Sequence, residues 1–419
     1  MALKVRGKGF ERLRRAEEVV EELRRRVART DVVELPLREC AWRVLGVDVV
    51  ASMDLPPYNR SAVDGYAVKA EDTYGASLQR PVRLKLKGWV KVGEGVEGLK
   101  VEKGEAVKVD TGSMLPEGCD AVVMVEYTKE VNGQVEVYQA VPRWRNVSRR
   151  GEDVRAGEVV LRAGRLLHPQ DLAMAASLGL AKLPVHRRPR VLVAATGYEL
   201  LEPGEAWRPG GVYNSNAYML LGLAQLYGAE AVLHPSLKGG VEDVEEVLSR
   251  LEGFDAAVLT GGTSAGEEDV VPEALARRGE LLAHGLALKP GMPAAAAIVD
   301  GRPVFSLPGF PVACMLAFEK LVGPVLAWMA GMEEPPRRAE VRARLTRRVA
   351  GTLGRRAFLR VRLVEGPEGG LLAEPLRTGG SGVISSVVEA DGYVELPENI
   401  DSLGEGEEVL VKLFRGWVA

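Results

Sequence analysis

The sequence predicts an α/β multidomain protein, and three observations predict it. The chain has 419 residues, too many for one hydrophobic core, so two to four domains are expected. Between about Arg190 and Gly331, strand-like and helix-like segments alternate, the pattern of βαβ units around a parallel sheet. On either side of that region the texture is Val-rich with alternating polarity, the mark of separate β domains.

The elements follow in chain order. Leu13, Ala16, Val20, Leu23 and Val27 recur every three or four residues, which predicts an amphipathic helix with Arg and Glu on its outer face. A second short helix is expected near Leu37–Leu45. From Val82 to Val141, VRLKLKGWV, AVKVD, AVVMVEY and GQVEVYQAV alternate around Gly and Asn-Gly turns and read as a small β domain. GEDVRAGEVVLRAGRLLHPQDL reads as further β structure leading into a helix at about Pro169–Leu178. VLVAAT is a buried strand, and NAYMLLGLAQLYG a helix capped by Asn214 or Asn216. Strand AVLHPSL, helix VEDVEEVLSRL, strand AAVLTGG and helix VVPEALARRG continue the alternation. After Pro335–Pro336, AEVRARLTRRV, AFLRVRLVEG, YVELPEN and EVLVKLF return to β texture. No fixed-period repeat is present.

Composition excludes several classes. Apolar residues make up 46% and charged residues 27% of the chain, with a net charge of -3; these are values of a soluble globular protein whose average surface is no nucleic-acid footprint. Cys40, Cys119 and Cys314 are odd in number and far apart, which fits a reducing compartment rather than a disulfide framework. With no CxxC and no close pair among the four histidines, a structural zinc site is not expected, and any metal is expected on oxygen ligands, which favours magnesium. The N-terminus MALKVRGKGFERLRR has no apolar h-region, and apolar runs such as PAAAAIV are short of the roughly 20 residues that span a membrane. A cytoplasmic protein with no membrane or nucleic-acid partner is expected.

The motifs are turns that hold polar groups rigidly. PPYNRSAVDGYAV opens on two prolines and sets Asp64 just before a glycine, an arrangement that serves equally as an ordinary Asp-Gly turn and as a fixed carboxylate. DTGSMLPEGCDAVV carries Thr111, Gly112 and Ser113. ATGYEL sets Thr196, Gly197 and Glu199 at a strand end. LTGGTSAGEEDVVPEAL ends a strand in Gly261–Gly262 and carries Ser264 before a helix start, where free N–H groups attract phosphate. Of its acids, Glu267 and Glu268 read best as favourable charge at a helix N-terminus. LKPGMP (Lys289, Pro290, Gly291) and LPGFP (Pro308, Gly309) are further rigid turns after strands, and Lys289 offers a charge to an oxyanion or simply to solvent.

In this order, PPYNRSAVDGYAV, DTGSMLPEGCDAVVMVE, ATGYEL, GGTSAGEED, KPGMP and LPGFPV resemble the molybdopterin molybdenumtransferase family, the MoeA and gephyrin E-domain family, over nearly the whole chain. The resemblance implies an elongated homodimer with its cleft at the subunit interface. It divides the chain into an N-terminal helical part of a segmented domain (1–57), an inserted small β domain (58–141), a return segment (142–187), a molybdopterin-binding α/β domain (188–334) and a C-terminal β-barrel (335–419). It implies an enzyme that takes adenylylated molybdopterin and molybdate or tungstate, requires Mg2+, releases AMP and leaves the metal on the dithiolene sulfurs. Carried over by motif, Asp64, Glu199 and Asp269 hold the cation and Thr111 joins them as a residue important for activity. Gly112, Ser113, Thr196, Gly197, Gly261, Gly262 and Ser264 fall in substrate-binding motifs, and Lys289, Pro290, Gly291, Pro308, Gly309, Arg360 and Ser381 in the substrate- and oxyanion-binding region.

The chain also departs from the family pattern. Gly239 and Gly240 stand where many members have an aspartate pair. Met292 replaces the second lysine of KPGKP, and Phe310 and Ala313 replace Asn and Ser of LPGNPVS. These changes bear on oxoanion affinity and on the choice between molybdate and tungstate. Two other readings compete. GGTSAGEEDVVPEAL is similar to the single-domain molybdopterin adenylyltransferase, which lacks the β domains and the VDGYAV motif. Family members also serve as scaffolds, so a non-catalytic paralogue is the third reading.

Overall fold

The computed structural model describes residues 13–238, 240–261, 270–367, 369–376 and 380–418. They divide into two units, one of Met1–Gly46, Gly164–Leu167 and Leu183–Ala419, the other of Val47–Ala163 and His168–Lys182.

The second unit is built on a six-stranded sheet. In spatial order its strands are Ala121–Met124, Gly65–Val68, Glu105–Val109, Val82–Val90, Gln134–Val137 and Thr128–Val131. Alternation is strict enough to sort the two faces into two apolar clusters, one around Tyr66, Leu84 and Val123, the other around Ala67, Val107 and Val122. Gly65 is required by the pairing, because a Cβ there would meet the Val123 carbonyl oxygen at 2.0 Å.

In the first unit, a six-stranded sheet runs Glu230–Leu233, Arg190–Ala195, Ala256–Thr260, Arg302–Leu307, Ala295–Val299, Glu280–His284. The first four are mutually parallel, as the βαβ pattern predicts. The last two pairings are antiparallel, which the sequence reading missed. Asp300 and Gly301, at φ 49° and 76°, form a two-residue turn, and so short a turn joins only antiparallel neighbours. Helices Ser215–Leu226, Val241–Ser249 and Val270–Arg278 cover the sheet. Asn214 is the cap of the first, its side chain accepting from Ala217 N at 3.2 Å.

A helix the sequence reading did not foresee runs from Pro311 to Met329. Gly323 and Pro324 interrupt its pattern, and a π-helical turn at Phe318–Val322 absorbs the proline. Its length and apolar composition meet the requirement for crossing a membrane, yet 83% of its apolar window is buried inside the protein, the setting of a core helix. The N-terminal helix Ala16–Arg26 buries Ala16, Val19, Val20 and Leu23 in the same core. The helix expected at Leu37–Leu45 is instead a single 3-10 turn, Leu37–Glu39. Trp42 takes φ 60°, and the N–H groups of Trp42, Leu45 and Gly46 donate to the carbonyls of Leu167, Arg165 and Pro184, so these donors are spent on distant backbone rather than on a helix.

The C-terminal strands Arg356–Glu365, Leu371–Pro375, Arg337–Leu345, Glu408–Val418 and Gly392–Leu396 close into a barrel, because the last pairs back with the first. The barrel is tied to the Pro311–Met329 helix by buried charge. Arg338 donates to Glu319 from both Nε (3.0 Å) and Nη2, Tyr393 donates to Glu319 at 3.2 Å, and Arg338 Nη1 donates to the carbonyls of Leu413 and Phe414. Lys320 of the π turn pairs with Glu395.

Candidate functional site

In the second unit, the strand Gly65–Val68 begins directly after Asp64, and Glu105–Val109 ends just before the turn that carries Thr111. Asp64 Oδ1 accepts two hydrogen bonds from Thr111, one from its backbone N–H at 2.7 Å and one from its hydroxyl at 2.8 Å. These bonds, the backbone one foremost, hold the Asp64 carboxyl below the usual carboxylate range. The side chain is nonetheless exposed, and among the described residues Oδ2 has no partner. Gly112, at φ 88°, turns the chain so that its N–H donates to Ser61 O at 2.8 Å. Ser113 is buried and donates to Asp110 O at 2.7 Å; in this fold it braces the turn.

In the first unit, the strand-end motifs converge at the carboxyl ends of the parallel strands, where open α/β sheets bind ligands. Thr196 N donates to Thr260 O at 2.8 Å, Gly197 N to Leu237 O at 2.9 Å and Gly261 N to Leu307 O at 3.0 Å. Gly261 has φ 95°, and a Cβ on it would meet Thr196 O at 2.2 Å; only glycine fits between these strand ends. A Cβ on Gly309 would lie 3.5 Å from Gly261 Cα, so the LPGFP turn adjoins the same place. The Glu199 carboxylate lies over Gly197, 2.6 Å from where a Cβ would stand, and is exposed. Asp269, Gly262, Ser264 and Gly239 lie outside the described residues.

Asn216, expected from the sequence only as a candidate helix cap, and Thr260, not singled out there, join this cluster. Asn216 Nδ2 donates to Thr260 Oγ1 at 2.9 Å and to Gly309 O at 2.8 Å, and Thr260 Oγ1 donates to Pro308 O at 3.1 Å. The signal was present: an Asn two residues past the cap, on the inner face of a helix, needs a partner when buried.

The oxyanion-region residues come from two loops that adjoin at the start of the Pro311–Met329 helix. Lys289 and Pro290 are joined by a cis peptide bond, and Gly291 has φ 118°. Lys289 Nζ donates to Thr352 Oγ1 at 2.8 Å, and Arg355, three residues beyond Thr352, sets Nη1 3.6 Å from Met292 Sδ. Two cations thus flank the Lys289–Met292 segment, and among the described residues neither pairs with a carboxylate. Arg355 was not foreseen from the sequence. The loop of Ser381 meets the start of the Pro311–Met329 helix, where a Cβ on Gly291 would also lie 3.6 Å from the Ala313 carbonyl oxygen. Val312 N donates to Ser381 O at 3.0 Å, and the Phe310 ring lies against Gly382. Phe310 is exposed and Ala313 buried. Arg360 is buried in the barrel wall at 3% exposure, and that burial lowers its guanidinium pKa.

Among the described residues, no three His, Cys, Asp or Glu side chains gather as metal ligands. Asp64 and Glu199 do have the chemistry a magnesium ion takes, hard carboxylate oxygens open to solvent.

Residues 14–179 match the family described as MoeA N-terminal region (domain I and II), 192–328 the probable molybdopterin binding domain, and 342–414 the MoeA C-terminal region (domain IV). A molybdopterin biosynthesis protein of Methanocaldococcus jannaschii is 37% identical over 393 residues, 92% of each chain. Molybdopterin molybdenumtransferase 2 of Mycobacterium tuberculosis is 35% identical over 391 residues, 90% of this chain and 94% of that one. The crystal structure of a molybdopterin biosynthesis MoeA protein from Pyrococcus horikoshii matches with a TM-score of 0.83 at 35% identity, covering 97% of this chain and 100% of that one. With all three regions matched in order and full-length relatives above 30% identity, this chain belongs to the MoeA, or molybdopterin molybdenumtransferase, family and has a role in molybdenum cofactor biosynthesis.

Proposed function

We propose that the protein transfers molybdenum or tungsten from its oxoanion to adenylylated molybdopterin with release of AMP, as a magnesium-dependent cytoplasmic homodimer. The observation that carries this reading is the Asp64–Thr111 clamp, which keeps an exposed carboxylate ionised and fixed in direction. A phosphoanhydride and an oxoanion are both negative, so a site that joins them needs a cation, and carboxylates hold that cation. Asp64 and Glu199 would hold magnesium, with Asp269 as the third acid the resemblance implies; bound there, magnesium neutralises phosphate charge. Thr111 orients Asp64. The glycines at 197, 261 and 309 let a ligand approach the strand-end backbone, and Lys289 attracts the oxoanion.

The dimer reading is supported by exposed apolar side chains on a short ladder of the second unit, where Val50 pairs with Val159 and Val47 and Met53 lie close in sequence. The three cysteines are free and buried, as a reducing compartment allows. The four-domain division given by the resemblance belongs to the same reading.

The test is incubation with adenylylated molybdopterin, magnesium and oxoanion, followed by assay of AMP. Release by the wild type, its dependence on magnesium, and its loss in Asp64→Asn with folding intact support the proposal. Consumption of ATP with molybdopterin instead would identify an adenylyltransferase, and neither reaction a scaffold.

A further inference from the structure

Beside the Asp64–Thr111 clamp stands a tryptophan that the fold leaves half in water. Trp89 is 51% exposed, and its ring is not a free rotor. Its Nε1–H donates to Asp110 Oδ1 at 2.8 Å, and Asp110 immediately precedes Thr111. The ring is thus two short steps from the carboxylate that Thr111 holds. Two ammonium groups lie over it in cation–π contact, Lys91 Nζ at 4.9 Å and Lys108 Nζ at 5.2 Å from the ring centroid, and a stacking ligand would take the place of these contacts. Sheet register explains both. Lys108 is the direct cross-strand partner of Trp89, and Lys91 follows two residues later on the same side of the chain. Lys108 shares an exposed pair with Glu130 at 3.2 Å, worth little in water, while Lys91 Nζ has no carboxylate partner among the described residues. Val92, 61% exposed, reaches toward Gly112, and Val125, 44% exposed, donates its N–H to Asp64 O at 3.1 Å. The clamp therefore has an apolar, aromatic and cationic rim.

We propose that Trp89, with Lys91 and Lys108, is a recognition platform that stacks a flat nitrogen heterocycle while the two ammonium groups take the phosphate joined to it. Indole faces stack on heteroaromatic rings, and lysine ammonium groups beside them attract the phosphate attached to such a ring. Within the reading given above, on which this inference rests, the adenylate and the pterin ends of the substrate both have this chemistry. Pinning by Asp110 fixes the platform in advance, so little side-chain freedom is lost on binding.

The experiment is titration of the full chain with AMP, adenosine, inorganic phosphate and a phosphate-free pterin, followed by calorimetry and tryptophan emission. Trp89→Phe, Trp89→Leu and Lys108→Gln are compared with the wild type, and thermal unfolding checks that each is folded. AMP should quench emission in the wild type. Trp89→Leu should weaken AMP about tenfold or more and abolish the quench. Trp89→Phe should keep most of the affinity, and Lys108→Gln should weaken AMP while leaving adenosine unchanged. If pterin rather than AMP responds to Trp89→Leu, the platform serves the pterin end. AMP and pterin affinities unchanged in Trp89→Leu would overturn the proposal, as would phosphate binding as tightly as AMP. Turnover is measured in parallel. AMP release by Trp89→Leu at the wild-type KM rejects the platform and leaves the transferase reading standing, whereas absence of turnover in the wild type rejects that reading by itself.

Discussion

At the scale of single residues, Asp64 is the clearest case of local chemistry prepared for use. Both bonds to its Oδ1 come from one residue, and both favour the ionised form. Its pKa is therefore lowered, and the carboxylate stays charged as pH falls through the ordinary carboxylate range. Linkage has the matching sign: what stability these bonds lend is present above the unfolded-state pKa and lost as pH falls through the lowered folded value. The group is exposed, so the effect on unfolding is small. Thr111→Val removes the hydroxyl bond and keeps the backbone one. The expected result is an upward shift of the Asp64 titration, read by NMR of the carboxyl carbon, with the acid limb of the rate profile moving to higher pH in step. An unmoved titration would mean that the backbone bond alone sets the value.

At Met292 the loss of a lysine bears on oxoanion affinity and choice, and Arg355 brings a guanidinium against the same side chain. A thioether is a weak acceptor, so most of the donor capacity of Arg355 remains for an anion. We expect Arg355→Ala to raise the half-saturating molybdate concentration about tenfold, the worth of a hydrogen bond from a charged group. Met292→Lys should improve it little, because a third positive charge would face Arg355 and Lys289. A large gain in Met292→Lys with none lost in Arg355→Ala would reverse the assignment.

At the scale of elements, the Pro311–Met329 helix links the strand-end turn at Gly309 to the barrel. Its π turn carries Glu319 and Lys320, each bonded to barrel residues. Glu319→Ala leaves the Arg338 charge buried without its counter-charge, and breaking such a pair costs about 3–5 kcal/mol. Replacing both with apolar residues of similar volume, Glu319→Leu with Arg338→Met, should cost less than the single change. Urea unfolding of the three chains checks this, and a double variant as unstable as the single one would show that the pair is favourable outright.

At the scale of the whole molecule, the transferase reading includes a cleft shared between subunits. Asp64→Asn and Glu199→Gln should each be inactive alone. Mixed dimers should regain up to about a quarter to a half of wild-type activity, since each mixed dimer holds one site with both acids intact. The measurement is AMP release after verified subunit exchange, and no recovery would mean that each chain builds its site alone.

Much of this was legible in the sequence because it is written in local chemistry. Alternation of Val with polar residues declares strands, spacing of three and four declares the N-terminal helix, and glycine and proline mark the turns that carry Asp64, Thr111, Thr196 and Gly261. Six ordered motifs were enough to identify the family. Other features depended on partners distant in the chain. Leu37–Leu45 looks helical, yet the N–H groups of Trp42 and Leu45 bond to residues more than a hundred positions away. Pro311–Met329 is broken by Gly323–Pro324 on paper and continuous in space, because a buried environment stabilises the π turn. Asn216, Thr260, Arg355 and Trp89 acquire their roles only from neighbours that the sheets and the barrel bring to them. Local propensity is a property of a few adjacent residues and can be read from their order. Which side chain meets which across strands is decided by burial and pairing over the whole chain, and only the tertiary structure decided it here.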